Sequence, residues 1–322
     1  MKNLRDPNAA RGRFPHACAA LLAALTLAQA SAAPAAAPID LPPLWESGDG
    51  EQHVGKIIWH ELATPDLEAA KAFYGALFGW TFRDVDAAAA PGDGAAPRPA
   101  RYTIAVQDGQ FVAGIVRRSA PATPAVQPAW LSFFCVEDVD AARRSAEAHG
   151  AKVLVEPRSY GRRGRQAILA DPQGAVFAIL ASHTGAAPDV LAAPGQWIWG
   201  SLLVRDADKD AAFYQDLFGY EVYEMPSPDG REHVVLANDD LARASVNDMP
   251  DDSPRRHPHW LGLVRVIDVA AAAARVRTLG GRVLVEPHED RHGGQLAVVA
   301  DPQGAVLGLM DWADLMTPGG AQ

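Results

Sequence analysis

The sequence predicts an α+β fold of four βαβββ modules, which form two tandem domains. Three repeats support this prediction. AFYGALFGW at Ala72–Trp80 returns as AFYQDLFGY at Ala212–Tyr220, and VLVEP and ADPQGAV each occur once in either half. The first pair is spaced more widely because the alanine- and proline-rich insert Ala87–Ala100 has no counterpart in the second half. Such self-similarity indicates that one structural unit occurs twice.

The first module begins with an apolar strand that ends near Thr64-Pro65-Asp66, where a helix is expected to start. Proline suits the first turn of a helix, and an acid stabilises its positive end. Apolar side chains then recur at intervals of three and four residues from Leu67 to Phe78, which is typical of a helix packed on a sheet. Gly79 is the predicted stop, in the left-handed conformation.

A weaker repeat lies inside each half. The stretches AWLSFFCVEDVDAARRSAEAHG (129–150) and HWLGLVRVIDVAAAAARVRTLGG (259–281) also run from an apolar strand through an aspartate into an alanine-rich helix. Gly150 and Gly280 are the predicted helix stops, and the following AKVLVE and GRVLVE are typical of strands. Each half therefore contains two modules.

The N-terminus differs from the rest of the chain. Lys2, Arg5, Arg11 and Arg13 precede an apolar run that leads into SAAPAAAP, which is the layout of a signal peptide. The run is too short to favour a retained membrane helix. We expect a periplasmic or secreted protein; the alternative is a cytoplasmic protein with an alanine-rich leader. The expected segments are a signal peptide (1–33), a disordered linker (34–53), the first domain (54–183), a linker (184–193), the second domain (194–313) and a tail (314–322).

The overall charge argues against nucleic acid or anionic lipid as a partner. The net charge is −10 and the pI is about 5.4, whereas phosphate binding needs clustered lysine and arginine. The short basic stretch RRGR, Arg162–Arg165, is expected to be a solvated loop. Removal of the signal peptide leaves Cys135 as the single thiol, so no disulfide within the chain is expected.

Four such modules, with AFYxxLFG after an Asp-ended strand and ADPQGA before the last strand, resemble the vicinal oxygen chelate superfamily. This group includes glyoxalases, bleomycin-resistance proteins and extradiol dioxygenases. The resemblance covers nearly all of the chain beyond residue 53. It implies that paired modules close a curved mixed sheet around a cup, with helices outside. Because that cup hosts isomerases, dioxygenases, thiol transferases and drug binders, the fold alone does not select a function.

The resemblance also implies where a divalent metal would be bound in an enzyme of this group. The ligand of a first strand lies seven residues before its terminal aspartate, and a glutamate lies seven after the aspartate of the Asp-Pro turn. None of the residues at these positions has a side chain that donates a lone pair to a metal. They are Trp59, Leu131, Ala178, Trp199, Leu261 and Gly308. We therefore expect no ordinary metal site and no cofactor.

Displaced ligands are the alternative. His60 is one residue from the expected position, which turns it to the other face of the strand, so a surface or interface histidine is expected. Glu61 and His259 are two residues away and keep the cup-facing phase, but they belong to different domains. Glu61 is thus interpreted as a polar group of the first cup, and His259 as a residue at an exposed strand start.

Trp59 and Trp199 occupy equivalent positions in the two halves, and the resemblance implies that both face the cup. Each could fill its cup or stack on a planar apolar ligand. Ser201 stands where the first half has Glu61, so the two cups are expected to differ in polarity. The equivalent pair Trp130 and Trp260 is out of phase and is expected beneath the helices or at a domain contact.

Three functions remain open from the sequence. The first is a binder of a small apolar or aromatic molecule, with Trp59, Glu61, Trp199, Ser201 and His259 as candidate ligand-binding residues. The second is a metal-dependent lyase, isomerase or dioxygenase with displaced ligands, and the third is a structural or interaction module with filled cups. Four modules suffice for two cups, so a monomer is self-sufficient and a homodimer is the alternative.

Overall fold

The computed structural model describes residues 40–45, 50–85, 102–118, 128–225, 233–249, 257–290 and 294–312. The predicted signal peptide (1–33), the predicted tail (314–322) and the Ala87–Ala100 insert lie outside these residues. Of the helices within them, none is both long enough and apolar enough to cross a membrane.

Both halves consist of two modules with the element order βαβββ. In the first half the elements are β1 (Ile57–Thr64), α1 (Leu67–Phe78), β2 (Thr81–Val85), β3 (Tyr102–Gln107), β4 (Gln110–Arg117), β5 (Ala129–Cys135), α2 (Val139–Ala148), β6 (Lys152–Ser159), β7 (Gly164–Ala170) and β8 (Val176–Ser182). In the second half they are β9 (Trp197–Val204), α3 (Ala207–Phe218), β10 (Glu221–Glu224), β11 (His233–Asn238), β12 (Leu241–Asp248), β13 (His259–Arg265), α4 (Val269–Thr278), β14 (Arg282–Glu289), β15 (Gln295–Ala300) and β16 (Val306–Met310).

Each half forms one eight-stranded mixed sheet. The strand orders are β2-β3-β4-β1-β5-β8-β7-β6 and β10-β11-β12-β9-β13-β16-β15-β14. The two modules of a half meet where their first strands pair antiparallel, with Glu61 opposite Leu131 in one sheet and Ser201 opposite Leu261 in the other. In every module the first strand runs parallel to the last one. The predicted α+β class with tandem paired modules is confirmed.

The aspartates that end the first strands act as helix N-caps. The Asp66 carboxylate accepts hydrogen bonds from the backbone N–H groups of Glu68 and Ala69, and Asp138, Asp206 and Asp268 cap the other helices. Pro65 thus precedes the cap, whereas the sequence placed it in the first turn. Gly79 ends α1 with a φ of 76°, in the left-handed region as expected.

The repeated motifs meet each other across the two domains. The Tyr74 hydroxyl of α1 donates a hydrogen bond of 3.0 Å to Asp301 of the second ADPQGA motif. Tyr214 of α3 makes the same 3.0 Å bond to Asp171 of the first ADPQGA motif. These reciprocal Tyr–Asp contacts are called the clasps. Each clasp tyrosine also accepts a hydrogen bond from a tryptophan; the donors are Trp130 to Tyr74 and Trp260 to Tyr214.

The last aromatic residue of each motif also crosses between the domains. The Trp80 indole donates to the carbonyl of Gly195 at 2.8 Å, and the Tyr220 hydroxyl donates to the carbonyl of Gly55. The apolar clusters around the helices are shared in the same way, because α1 packs with α4 and α2 packs with α3. The AFYxxLFG motif is therefore an interdomain motif as well as a helix face.

One buried acid breaks the symmetry of this interface. Asp210 of α3 has no solvent exposure, and it stands where α1 has the buried Ala70. Burial first, and then the nearby Asp171 carboxylate, raises the pKa of Asp210 to about 7. An ionised carboxylate in this position is costly because it has lost its water.

The expectation of a disordered linker over 34–53 is wrong for the part that the structure describes. Leu41 and Leu44 are only 2% and 1% exposed and belong to the apolar cluster of the first cup. Residues 40–45, called the strap, are ordered because these two leucines bury apolar side chains that would otherwise face water. The composition of the segment, rich in proline and alanine, gives no sign of this contact.

Candidate functional site

The positions where the family resemblance implies metal ligands lie on the cup side of the two sheets. Trp59, Leu131 and Ala178 belong to the apolar cluster of the first cup, and Trp199 and Leu261 to that of the second. Gly308 packs against a leucine of the second cluster; a Cβ there would lie 2.7 Å from Leu263 Cγ.

These residues do not fit a divalent metal. None of them supplies an oxygen, nitrogen or sulfur lone pair from its side chain. Across the described ranges, no group of three or more His, Cys, Asp or Glu side chains could hold a metal ion. The geometry therefore offers no residue set from which a metal-dependent step can be derived.

The first cup is filled by parts of its own chain. The leucines of the strap enter it, and Arg163 lies beside them with 1% exposure. The Arg163 guanidinium lies 4.6 Å from the centre of the Trp59 ring, and its Nε donates to the carbonyl of Pro42 at 2.8 Å. The expectation that Arg162–Arg165 is a solvated loop is thus wrong for Arg163, because the Trp59 face and a strap carbonyl replace its water.

Glu61 is half-buried in the same cup. Burial raises the pKa of its carboxyl group, although the neighbouring Tyr102 hydroxyl and the charges of Arg163 and Arg118 act in the opposite direction. The first cup therefore combines the Glu61 carboxyl group and the Arg163 guanidinium with an apolar filling.

The two cups diverge at one pair of equivalent positions. Gly114 of β4 lies opposite Glu61, and a Cβ at Gly114 would come within 2.0 Å of the Tyr102 hydroxyl. The absence of a side chain at Gly114 therefore lets the Tyr102 ring cross the cup. The second domain has Ser245 at this place, opposite Ser201.

The second cup contains a cavity of about 450 Å³. Its walls are aromatic and apolar, with one acidic residue. The rings of Trp199 and Trp312 lie 6.2 Å apart with an interplanar angle of 36°. The lining residues are Trp199, Tyr223, Met225, Val235, Ala237, Asp240, Ala242, Met310 and Trp312.

A chain of polar side chains positions Trp199 at the wall of the cavity. Its indole N–H donates to Ser245 Oγ at 3.1 Å, and Ser245 Oγ donates to Ser201 Oγ at 3.2 Å. Asn247 donates to Ser201 at 2.8 Å and contacts His233 through its amide oxygen. Ser201, a candidate ligand-binding residue, thus holds the orientation of Trp199 through Ser245.

The rim of the cavity is acidic. Tyr223 is half-exposed and donates to the Glu221 carboxylate, while Asp240 lies in the turn between β11 and β12. Asp240 has a φ of 60°, a left-handed conformation that glycine adopts more easily. The equivalent turn of the first domain has Gly109 in that place.

The two remaining histidine candidates lie away from the cavity. His60 is buried at the domain interface, where it stacks on Trp197 at 4.0 Å, and burial lowers its pKa to about 3. Of the surface and interface positions expected for His60, the structure shows the interface. His259 begins β13, and its Nδ1 lies 2.8 Å from the carbonyl of His257. Glu61 and His259 belong to different sheets, so the structure does not bring them together.

Several residues of the two cups were missed from the sequence. Trp312 follows the last strand, and its equivalent in the first half is Ser182, so no repeat pointed to it. Arg163 was missed because the basic stretch Arg162–Arg165 was predicted to be a solvated loop. A comparison of the two halves at the turn of Asp240 would have found the glycine-to-aspartate difference, which is a usable signal.

Comparison with known proteins assigns both domains to one group. Residues 53–179 match the model of the Glyoxalase/Bleomycin resistance protein/Dioxygenase superfamily, and residues 201–310 match that of the Glyoxalase-like domain. CFP32 of Mycobacterium tuberculosis, which carries a provisional glyoxylase name, is 30% identical over 81% of this chain and 96% of its own. The anthracycline biosynthesis protein DauV of Streptomyces sp. is 31% identical over 80% of this chain and 93% of its own.

Solved structures show the same fold at low sequence identity. The Mn(II)-bound glyoxalase of Novosphingobium aromaticivorans has a TM-score of 0.54 and 19% identity, covering 80% of this chain and 82% of that one. The 2,3-dioxygenase LapB of Pseudomonas sp. KL28 has a TM-score of 0.54 and 14% identity, covering 81% and 94%. At such identity the likeness concerns the fold.

Proposed function

The chain belongs to the Glyoxalase/Bleomycin resistance protein/Dioxygenase superfamily, and from this premise we propose that it binds one small planar aromatic molecule in its second cup without a metal. The observation that carries the proposal is the cavity of about 450 Å³ walled by Trp199, Trp312 and Tyr223. This volume lies within the range of about 300–1,000 Å³ that is usual for small-molecule sites.

The contrast between the cups supports a single site per chain. In the first cup Trp59 is covered by Arg163 and the leucines of the strap, so this tryptophan fills space. In the second cup Trp199 is held by Ser245 and faces the cavity, where it can stack on a ligand. The filled-module hypothesis therefore suits the first cup, and the binding hypothesis suits the second.

The name of one relative supports an aromatic ligand, whereas the glyoxylase name of CFP32 points to an enzyme. The name of DauV associates that protein with anthracycline biosynthesis, and anthracyclines are planar polycyclic aromatics. The enzymatic alternative, with Glu61 or His259 as displaced ligands, gains no support from a described set of metal-binding side chains.

Calorimetric titration with 1-naphthylmethanol tests the proposal. We expect one site per chain. Trp312→Ala should weaken binding by about tenfold, because an aromatic contact is worth roughly 0.5–1.5 kcal/mol beyond its buried area. Trp59→Phe in the filled first cup is the matched control and should leave the affinity unchanged. Absence of binding by the unaltered protein, or equal effects of the two variants, would contradict a site in the second cup.

The proposed absence of a metal has its own test. Elemental analysis of the purified protein should find no stoichiometric divalent ion, and a chelator should leave naphthylmethanol binding unchanged. One tightly bound ion per domain, with loss of binding on chelation, would favour the displaced-ligand enzyme instead.

Export to the periplasm or the medium is the third part of the proposal. It rests on the basic residues, the apolar run and the small residues of 1–33. In a Gram-negative host, the full chain should be shortened and recovered from the periplasm, whereas a chain lacking 1–33 should stay in the cytoplasm. Recovery of the unprocessed full chain from the cytoplasm would refute this part.

A further inference from the structure

We propose that the aromatic ligand of the second cup carries a positive charge, and that Asp240 at the rim selects for it. This inference rests on the proposed function and adds the chemical class of the ligand. A protonated or quaternary amine attached to a planar ring is the chemistry that the cavity and its rim would recognise together.

The first argument is the placement of charge. Asp240 is the single charged residue of the described cavity lining, which contains no lysine or arginine. Glu221 lies just outside and accepts from the Tyr223 hydroxyl. The hydrogen bond to Glu221 and the Glu221 charge raise the pKa of this hydroxyl, and the Asp240 charge adds a smaller effect in the same direction. The carboxylates of Glu221 and Asp240 therefore both lie near the half-exposed Tyr223 ring at the rim of the cavity.

The second argument is that Asp240 has no counter-ion within the described part of the chain. Its neighbour Asp239 lies 3.5 Å from Arg243 Nη2, while Asp240 takes part in no such ion pair. An exposed carboxylate needs no partner, but one that lines an apolar cavity becomes partly desolvated when a ligand enters. A cation on the ligand would then replace the lost water, whereas an anion would be repelled.

The third argument comes from the walls. The faces of Trp199, Trp312 and Tyr223 carry negative electrostatic potential and attract a cation within about 6 Å of the ring centre. Met225 and Met310 add polarizable sulfur to the same cavity. A cationic aromatic ligand would thus be stabilised by stacking, by the ring faces and by the rim carboxylate at once.

The fourth argument is the comparison between the domains. The turn before β12 has two residues with positive φ, Asp239 at 53° and Asp240 at 60°, and the equivalent first-domain turn has Asp108 and Gly109. Glycine is the residue that such a turn prefers at its second position. The second domain has an acid there instead, and this acid lines the cavity of the second cup.

Three naphthalene probes of equal ring size test the charge preference. They are 1-naphthylmethylammonium, 1-naphthylmethanol and 1-naphthylacetate, titrated by calorimetry at pH 7.5. We expect the affinity to fall in that order. Asp240→Asn should weaken the ammonium probe about threefold to fivefold, as an exposed ion pair does, and leave the alcohol unchanged. Asp108→Asn, which removes the same charge from the equivalent turn of the first domain, is the matched control.

The outcomes separate the two proposals. Binding of the alcohol with equal affinity for the ammonium probe would overturn the charge preference and leave the aromatic site standing. Equal weakening of the alcohol and the ammonium by Asp240→Asn would also overturn it, because the residue would then act on shape. Failure of all three probes to bind would refute the aromatic site itself, and the charge preference with it.

Discussion

Replacement of Asp210 by alanine should stabilise the protein, and the gain should grow with pH. The position tolerates alanine because the equivalent residue of α1 is Ala70, which is buried in the same way. Burial and the neighbouring Asp171 hold the pKa of Asp210 at about 7 in the folded protein. In the unfolded chain the group returns to its ordinary value of about 3.9.

The sign and the size follow from these two values. Well below pH 3.9 both states carry the proton, so the acid adds no pH-dependent penalty. As the pH rises towards 7 the unfolded chain releases its proton while the folded chain keeps it, so the folded state loses stability. One pKa unit corresponds to about 1.4 kcal/mol, which gives a penalty of roughly 4 kcal/mol above pH 7 and roughly 1.5 kcal/mol at pH 5.

Urea denaturation at pH 5 and pH 8 measures this difference. The gain in unfolding free energy from Asp210→Ala should be about 2.5 kcal/mol larger at pH 8 than at pH 5. Asp208→Asn removes an acid from an exposed position of the same helix and should show little change at either pH. A gain from Asp210→Ala that is equal at both pH values would refute the reasoning, because the benefit would then come from packing.

Three further variants test the interface and the first cup by the same denaturation assay. Tyr74→Phe should cost about 1.5–3 kcal/mol, because the buried Asp301 carboxylate loses a charge-assisted hydrogen bond; no loss would show that the clasp does not stabilise the interface. Gly114→Ala should cost about 1–3 kcal/mol through its clash with the Tyr102 hydroxyl, while Ser245→Ala, at the equivalent position, should cost less. Leu44→Ala should cost about 2–5 kcal/mol if the strap fills the first cup, and an effect below 0.5 kcal/mol would contradict that filling.

The sequence contained enough local information to predict the modules. The aspartate caps, the glycine stops and the spacing of apolar residues in α1 depend on neighbours in the chain, and they were recognisable for that reason. The family resemblance implied the cup-facing positions of Trp59 and Trp199, seven residues before the aspartates that end their strands, and the two-residue period of a strand separated these positions from His60. These features placed both tryptophans where the structure has them.

The content of the cups depends on contacts between distant parts of the chain, and it was not predictable in this way. The strap packs into the first cup although it precedes residue 54, the predicted start of the first domain. The Arg163 guanidinium contacts the Trp59 ring and the carbonyl of Pro42 in place of water. Trp312 completes the second cup from beyond the last strand, without an equivalent in the first half. The two-residue period of a strand predicts which of its own side chains face a cup. It does not predict which residues of other segments pack into that cup.

The clasps have a consequence for how such a chain could arise. A single domain that carries both the tyrosine of the AFYxxLFG motif and the aspartate of the ADPQGA motif presents a self-complementary surface. Two copies of that domain related by a twofold axis would complete both clasps, as residue pairs do in an isologous dimer. The tandem chain joins these two copies covalently, and mutual recognition constrains the motifs in both. The interiors of the cups take no part in the clasps, and they differ: the strap and Arg163 occupy the first cup, whereas the second contains the cavity.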